Sequence, residues 1–209
     1  APVLDLYGIP DKTVIGDRSM GRDPESIAEF GKYYVRGARK AGIIPVIKHF
    51  PGHGSSTVDS HVDLPVIDME EQELQQRDFK PFREVIESGV DVVMTAHVIF
   101  RKIDPDYPGT LSKKILRGIL RDQFGFQGVI ISDGLSMGAI SNNYEITDTL
   151  RLLFKAGVDL ILVHSKYDIV DLKKRVIVLY EQGEITEEEI DEGVERILRL
   201  KLKSGLIPR

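Results

Sequence analysis

Five short apolar runs, residues 2–6, 43–47, 90–96, 128–132 and 158–163, constrain this chain more than any other feature. They barely alternate. A strand with one wet face alternates apolar and polar residues, whereas a continuous run reads as a strand covered on both faces, as in a parallel sheet wrapped by helices. Helical patterns separate the runs. Asp23 before Pro24 reads as an N-cap with proline in the first turn, and Ile27, Phe30, Tyr34 and Ala38 then share one face. Asp68 with Glu71, and Thr186 with Glu189, have capping-box spacing. Ser112 and Thr147 open further amphipathic stretches, and Ile190, Val194, Ile197 and Leu198 predict a buried stripe on the last helix. Gly42, Gly89 and Gly157 stand where helices end, and Pro81 bends or splits the helix expected between Asp68 and Ser88. The pattern is β-loop-α repeated about five times without a linker. It predicts an α/β fold with one domain over residues 1–209. Such a sheet is either open and doubly wound or closed into an eight-stranded barrel.

Both arrangements place function at the carboxyl ends of the strands. Polar residues end the runs there: Asp5, Lys48 and His49, His97, Asp133, His164. No Gly-x-Gly-x-x-Gly follows the first strand and no phosphate-binding Gly-x-x-x-x-Gly-Lys-Ser/Thr occurs, so no nucleotide cofactor is expected.

The segment after the second run, residues 48–65, reads KHFPGHGSSTVDSHVDLP and holds three of the five histidines of the chain. In an extended segment, residues two apart point the same way. Asp59 can then orient the His61 ring and fix its tautomer, which suits a general acid/base. The same spacing also suits a loop-stabilising hydrogen bond without chemistry. Asp133 is either a catalytic carboxylate at a strand end or an N-cap. Lys48 and His49 either reach ligand hydroxyls or pair with neighbouring carboxylates. A metal on His49, His53, His61 and Asp59 finds little support, because Pro51 and Gly52 break the spacing between the first two. Ser60 beside His61 makes a poor nucleophile and base, since adjacent residues point apart and no Gly-x-Ser-x-Gly elbow exists. Met137 on its own reads as packing.

Composition narrows the classes. The net charge of −5 with scattered basic residues gives no reason to expect a nucleic-acid partner. Without cysteine, disulfides and thiolate metal sites are excluded. No apolar run approaches the roughly 20 residues of a membrane-spanning helix.

The 48–65 segment, with VVMTAHVIF, GVIISDGLSM, APVLDL and IGDRSMGRDP, closely resembles the β-N-acetylhexosaminidases of glycoside hydrolase family three, over essentially the whole chain. The resemblance implies a TIM-type (β/α)8 barrel and a retaining exo-β-N-acetylglucosaminidase that needs no metal or cofactor. It implies that Asp133 attacks the anomeric carbon and that His61, held by Asp59, protonates the leaving oxygen. Lys48, His49 and Arg18 would bind the sugar, and Met137 would lie near its face. The implied substrate is a small carbohydrate, a muropeptide or chitooligosaccharide carrying N-acetylglucosamine, as in cytoplasmic peptidoglycan recycling, with secretion the alternative. Phosphorolysis of the same bond, or sugar binding without catalysis, are the other outcomes weighed. Five strands do not close an eight-stranded barrel. The chain therefore reads as the last five β/α units, with the first strands expected in an upstream segment or a separate chain.

Overall fold

The computed structural model describes residues 1–8, 14–56 and 58–208, so Thr57 of the 48–65 segment and Arg209 lie outside the described residues. All five apolar runs contribute parallel strand segments, and they lie side by side in chain order. The centre is a sheet of β1 (Val46–Phe50), β3 (Val92–Thr95) and β5 (Val129–Ile131), with Val46 opposite Val92 and Val92 opposite Val129. The outer runs join by single parallel bridges, Val3 to Lys48 and Ile131 to Leu160. They pair on one side only among the described residues, so they extend less than their sequences predict. A second pair, β2 (Val66–Ile67) with β4 (Ile99–Phe100), is also parallel and lies beyond the ends of β1 and β3. Two-residue strands leave no periodic trace, and neither was expected.

The helices are α1 (Pro24–Lys40), α2 (Glu71–Gln76), α3 (Lys80–Glu87), a π-helix over Lys114–Gln123, α4 (Gly138–Ser141), α5 (Ile146–Ala156), α6 (Ile169–Glu181) and α7 (Glu187–Lys203). No helix among the described residues is long and apolar enough to cross a membrane. Asp23 caps α1 through the Ser26 N–H, and Thr186 with Glu189 forms the expected capping box on α7. Gly42, Gly89 and Gly157 all take positive φ where helices end, and the helix around Pro81 is split into α2 and α3.

Several local expectations fail for identifiable reasons. Asp68 caps nothing; it pairs with Arg101 and Lys102, and α2 starts at Glu71 behind Glu70. Thr147 lies inside α5, where its hydroxyl accepts from Arg175. The second strand begins at Val46, since Gly42 only then closes α1, and Ile43 is exposed. Helix α1 is rotated from its predicted face: Ile27, Ala28, Gly31 and Val35 are buried, while Phe30 and Tyr34 are exposed. Gly31 explains the rotation. A Cβ there would lie 2.7 Å from Leu4 and 2.9 Å from Val85, so the glycine is where helix, strand and α3 meet most closely. On α7, Val194 and Leu198 are exposed and Gly193 faces inward. The tie is ionic: buried Asp159 accepts from Arg196 Nε and Arg121 Nη2, both at 2.9 Å, and from the Ile130 N–H at 2.7 Å. A buried carboxylate so satisfied joins α7 and the π-helix to the sheet where apolar packing was expected.

The core lies between this sheet and its helices. Phe50, Phe79, Phe82 and Phe100 are fully buried there and stack edge to face around the end of β1. That packing fixes the strand ends, which leaves Asp5, His49, His97 and Asp133 on one rim.

Candidate active site

Asp5 organises the rim. It is wholly buried, so its carboxylate requires partners. It has three: His49 Nδ1 at 2.7 Å, the His49 N–H at 3.2 Å and the His53 N–H at 2.7 Å. Burial pushes the Asp5 carboxyl up, but the adjacent His49 and His53 outweigh it and hold the group below the ordinary carboxylate range. An ionised Asp5 only accepts, so His49 Nδ1 carries the hydrogen. The His49 ring is thereby aimed, and its Nε2 lies 3.9 Å from Asp133 Oδ2.

Asp133 follows β5 and accepts the Gly134 N–H at 2.8 Å; about a fifth of its side chain is exposed. Beneath it lies a buried chain of hydrogen bonds. His97 Nε2 donates to the Gly134 carbonyl at 3.1 Å, so Nδ1 must accept, and it takes the Thr110 hydroxyl hydrogen at 2.7 Å. Thr110 in turn accepts from Thr95 at 2.8 Å. Burial lowers the His97 pKa to about 4. His97 is therefore neutral at pH 7, and this tautomer buttresses the backbone directly after Asp133.

A pH dependence of stability follows. The folded pKa of His97 lies below its ordinary value near 6.5, so between the two the unfolded chain binds the extra proton. The stabilisation is complete above about pH 6.5 and is lost as pH falls toward 4, by roughly 3 kcal/mol at 1.36 kcal/mol per pKa unit. Denaturant titrations at pH 7 and 4.5 are expected to show a smaller pH difference for His97→Gln than for the parent. An equal difference in both would remove His97 as the cause.

The Asp59–His61 pair forms as the spacing predicts. Asp59 Oδ1 accepts both the His61 N–H and His61 Nδ1, each at 2.8 Å. Slight burial acts upward on the Asp59 carboxyl, and the two hydrogen bonds from His61 overcome it and hold it low. The pair is exposed, with 63% of the His61 side chain accessible, and Nε2 is the ring nitrogen that Asp59 does not engage. Backbone bonds dock this loop on the segment that follows Asp133: Gly138 N–H to the His61 carbonyl at 3.1 Å, and Ala139 N–H to the Ser60 carbonyl at 3.0 Å.

Thus the three loop histidines take different partners: His49 binds Asp5, His53 Nε2 binds buried Ser60 at 2.9 Å, and His61 binds Asp59. Lys48 is half-buried in β1 beside His49 and makes no ion pair with a described residue. Met137 occupies the N-cap position of α4 without a side-chain capping bond, and its Sδ lies 3.8 Å from where a Gly134 Cβ would stand. Arg18 is not drawn into the cluster. It is exposed in a 3-10 turn, Gly16–Arg18, and donates to the Ile15 and Val14 carbonyls. His164, at the end of the fifth run, is exposed; its ring bonds to Ser165 and its carbonyl accepts the Tyr167 N–H. The structural roles of Asp5, His53, Ser60 and His97 were not foreseen. Strand-end position flagged Asp5 and His97, but burial assigns their work.

Residues 1–200 match the family model described as the glycosyl hydrolase family 3 N terminal domain. A β-hexosaminidase from Hydrogenovibrio crunogenus is 45% identical over 164 residues, covering 78% of this chain and 45% of that protein. The chain spans about half the length of the curated relatives it matches. Among solved structures, a family 3 β-N-acetylglucosaminidase from Paenibacillus sp. FPU-7 superposes with a TM-score of 0.93 at 40% identity, over 99% of this chain and 40% of that one. A β-glucoside phosphorylase superposes with a TM-score of 0.92 at 30% identity, over 99% of this chain and 38% of that one.

Proposed function

As the chain belongs to glycosyl hydrolase family 3 and its parallel strands are part of a TIM-type barrel, we propose that it acts as a retaining exo-β-N-acetylglucosaminidase. One observation carries the reading. A strand-end carboxylate, Asp133, and a carboxylate-held imidazole, His61, are both fastened to the short stretch 133–139, one covalently and one by two backbone hydrogen bonds. The β-hexosaminidase and β-N-acetylglucosaminidase relatives support the sugar.

In this reading Asp133 attacks the anomeric carbon as the bond to the leaving oxygen breaks. His61, protonated on both nitrogens, gives its Nε2 proton to that oxygen while Asp59 holds Nδ1. A covalent glycosyl-Asp133 ester remains. Water then attacks the same carbon, His61 takes the proton, and Asp133 is released. Ordinary retaining glycosidases place two carboxyl groups about 5 Å apart. Like charges at that range oppose joint ionisation, and an imidazole partner avoids this. The resemblance assigns His49, Lys48, Met137 and Arg18 to the bound sugar, with Arg18 standing outside the Asp5–His49–Asp133 cluster. His49 is the best supported, because Asp5 aims it beside Asp133. The resemblance extends the proposal to muropeptides as substrates in cytoplasmic peptidoglycan recycling. Comparing kcat/KM on a muropeptide and on chitobiose tests that extension.

Phosphorolysis is the second reading, favoured by the phosphorylase neighbour and by an acid/base that leaves no second negative charge facing an incoming phosphate. Proton NMR of the first-formed product decides. The hydrolase reading expects β-N-acetylglucosamine at an unchanged rate with added phosphate. A sugar 1-phosphate would establish phosphorolysis, and a first-formed α anomer would exclude retention.

A further inference from the structure

In the loop that carries His61, Val58, His61 and Val62 are exposed, while Ser60 is buried and bonded to His53 Nε2. The segment after Asp133 holds the loop's carbonyls. Besides the bonds from Gly138 and Ala139, Asn142 Nδ2 donates to the Val62 carbonyl at 3.3 Å. The approach at Gly138 is the closest. A Cβ there would lie 2.4 Å from the Val62 oxygen and 2.8 Å from the His61 oxygen. Both are backbone atoms, so no side-chain rotation relieves the overlap.

We propose that Gly138 is a positioning residue: its missing side chain sets how closely the His61 loop seats on the segment that carries Asp133. The proposal rests on the reading of His61 as acid/base. Gly138 does not take a positive φ, so its backbone conformation is open to alanine. Alanine is also the better helix former. The glycine is therefore unexplained by the demands of α4 itself, whereas the loop contact requires it. Gly138→Ala should leave the helix intact and lift the loop.

The test is kcat/KM for Gly138→Ala and His61→Ala over aryl β-N-acetylglucosaminides, from dinitrophenyl to phenyl leaving groups. Protonation matters for poor leaving groups and hardly for good ones. Gly138→Ala is expected to lose about 10- to 100-fold on the phenyl glycoside, as a displacement near 1 Å can cause, and little on the dinitrophenyl glycoside. The melting temperature should fall modestly with the fold retained, because the added Cβ strains the backbone contacts of the seat. Equal losses on all substrates would indicate a merely structural role and overturn the proposal. Parent-like rates beside a defective His61→Ala would overturn it while sparing the acid/base reading. A flat His61→Ala series would remove both. If Gly138→Ala fails to fold, Asn142→Ala decides. It weakens the same seat without a clash, and a loss of about 2- to 5-fold confined to poor leaving groups is expected from one missing hydrogen bond. A flat Asn142→Ala series would overturn the proposal.

Discussion

Asp133→Ala is expected to lower turnover by about 10⁴-fold or more and to abolish covalent labelling by a mechanism-based fluorosugar, as removal of a nucleophile from a concerted site does. Little else should change. The side chain is partly exposed, and among the described residues its one hydrogen bond is to the neighbouring Gly134 N–H. The supports below it, His97 and Thr110, bind the Gly134 carbonyl and each other and do not depend on the carboxylate. A folded, inactive and unlabelled protein is the expected result. The vacated space beside His49 Nε2 should also admit azide. Azide would then attack the anomeric carbon once, in place of the carboxylate, and restore turnover with an inverted glycosyl azide as product. Substantial residual hydrolysis with retention would remove Asp133 as nucleophile.

The second large effect concerns the proton. His61→Ala is expected to slow cleavage of poor leaving groups by about 10²- to 10⁴-fold, the usual contribution of a positioned general acid. Dinitrophenyl substrates should still form the glycosyl-enzyme, because that leaving group needs no proton. Breakdown of the intermediate, which needs the base, should then limit the rate, and added azide should relieve it. Asp59→Ala is expected to share this pattern at smaller amplitude. It removes the acceptor that holds Nδ1 at 2.8 Å and leaves the ring free to turn. If His61→Ala kept the parent rate on a poor leaving group, the acid/base assignment would be lost.

The parallel order of strands and the polar rim were legible because each depends on local composition. A run such as residues 128–132 is almost continuously apolar, which calls for cover on both faces, and Asp133 then follows at its end. The Asp59–His61 bond was legible for the same reason, since a contact across two residues needs only an extended backbone. Helix faces were less so. The α1 pattern around Phe30 and Tyr34 pointed one way, and the close contact of Gly31 with Leu4 and Val85 turned the helix another. The two-residue strands β2 and β4 fall below any period.

The amino-acid sequence by itself determined the parallel α/β architecture, and it marked the strand ends as the candidate site and Asp133, Asp59 and His61 as candidate residues. Beyond the local Asp59–His61 bond, the tertiary structure alone decided how the site is held. Asp5 aims His49 from 44 residues away along the chain, His97 supports the Gly134 backbone across 37, and Gly138 seats a loop it precedes nowhere in sequence. The physical reason is range. Periodicity and capping are properties of neighbours along the chain, whereas the burial of a carboxylate, the tautomer of a histidine and the clearance around a missing Cβ are properties of neighbours in space.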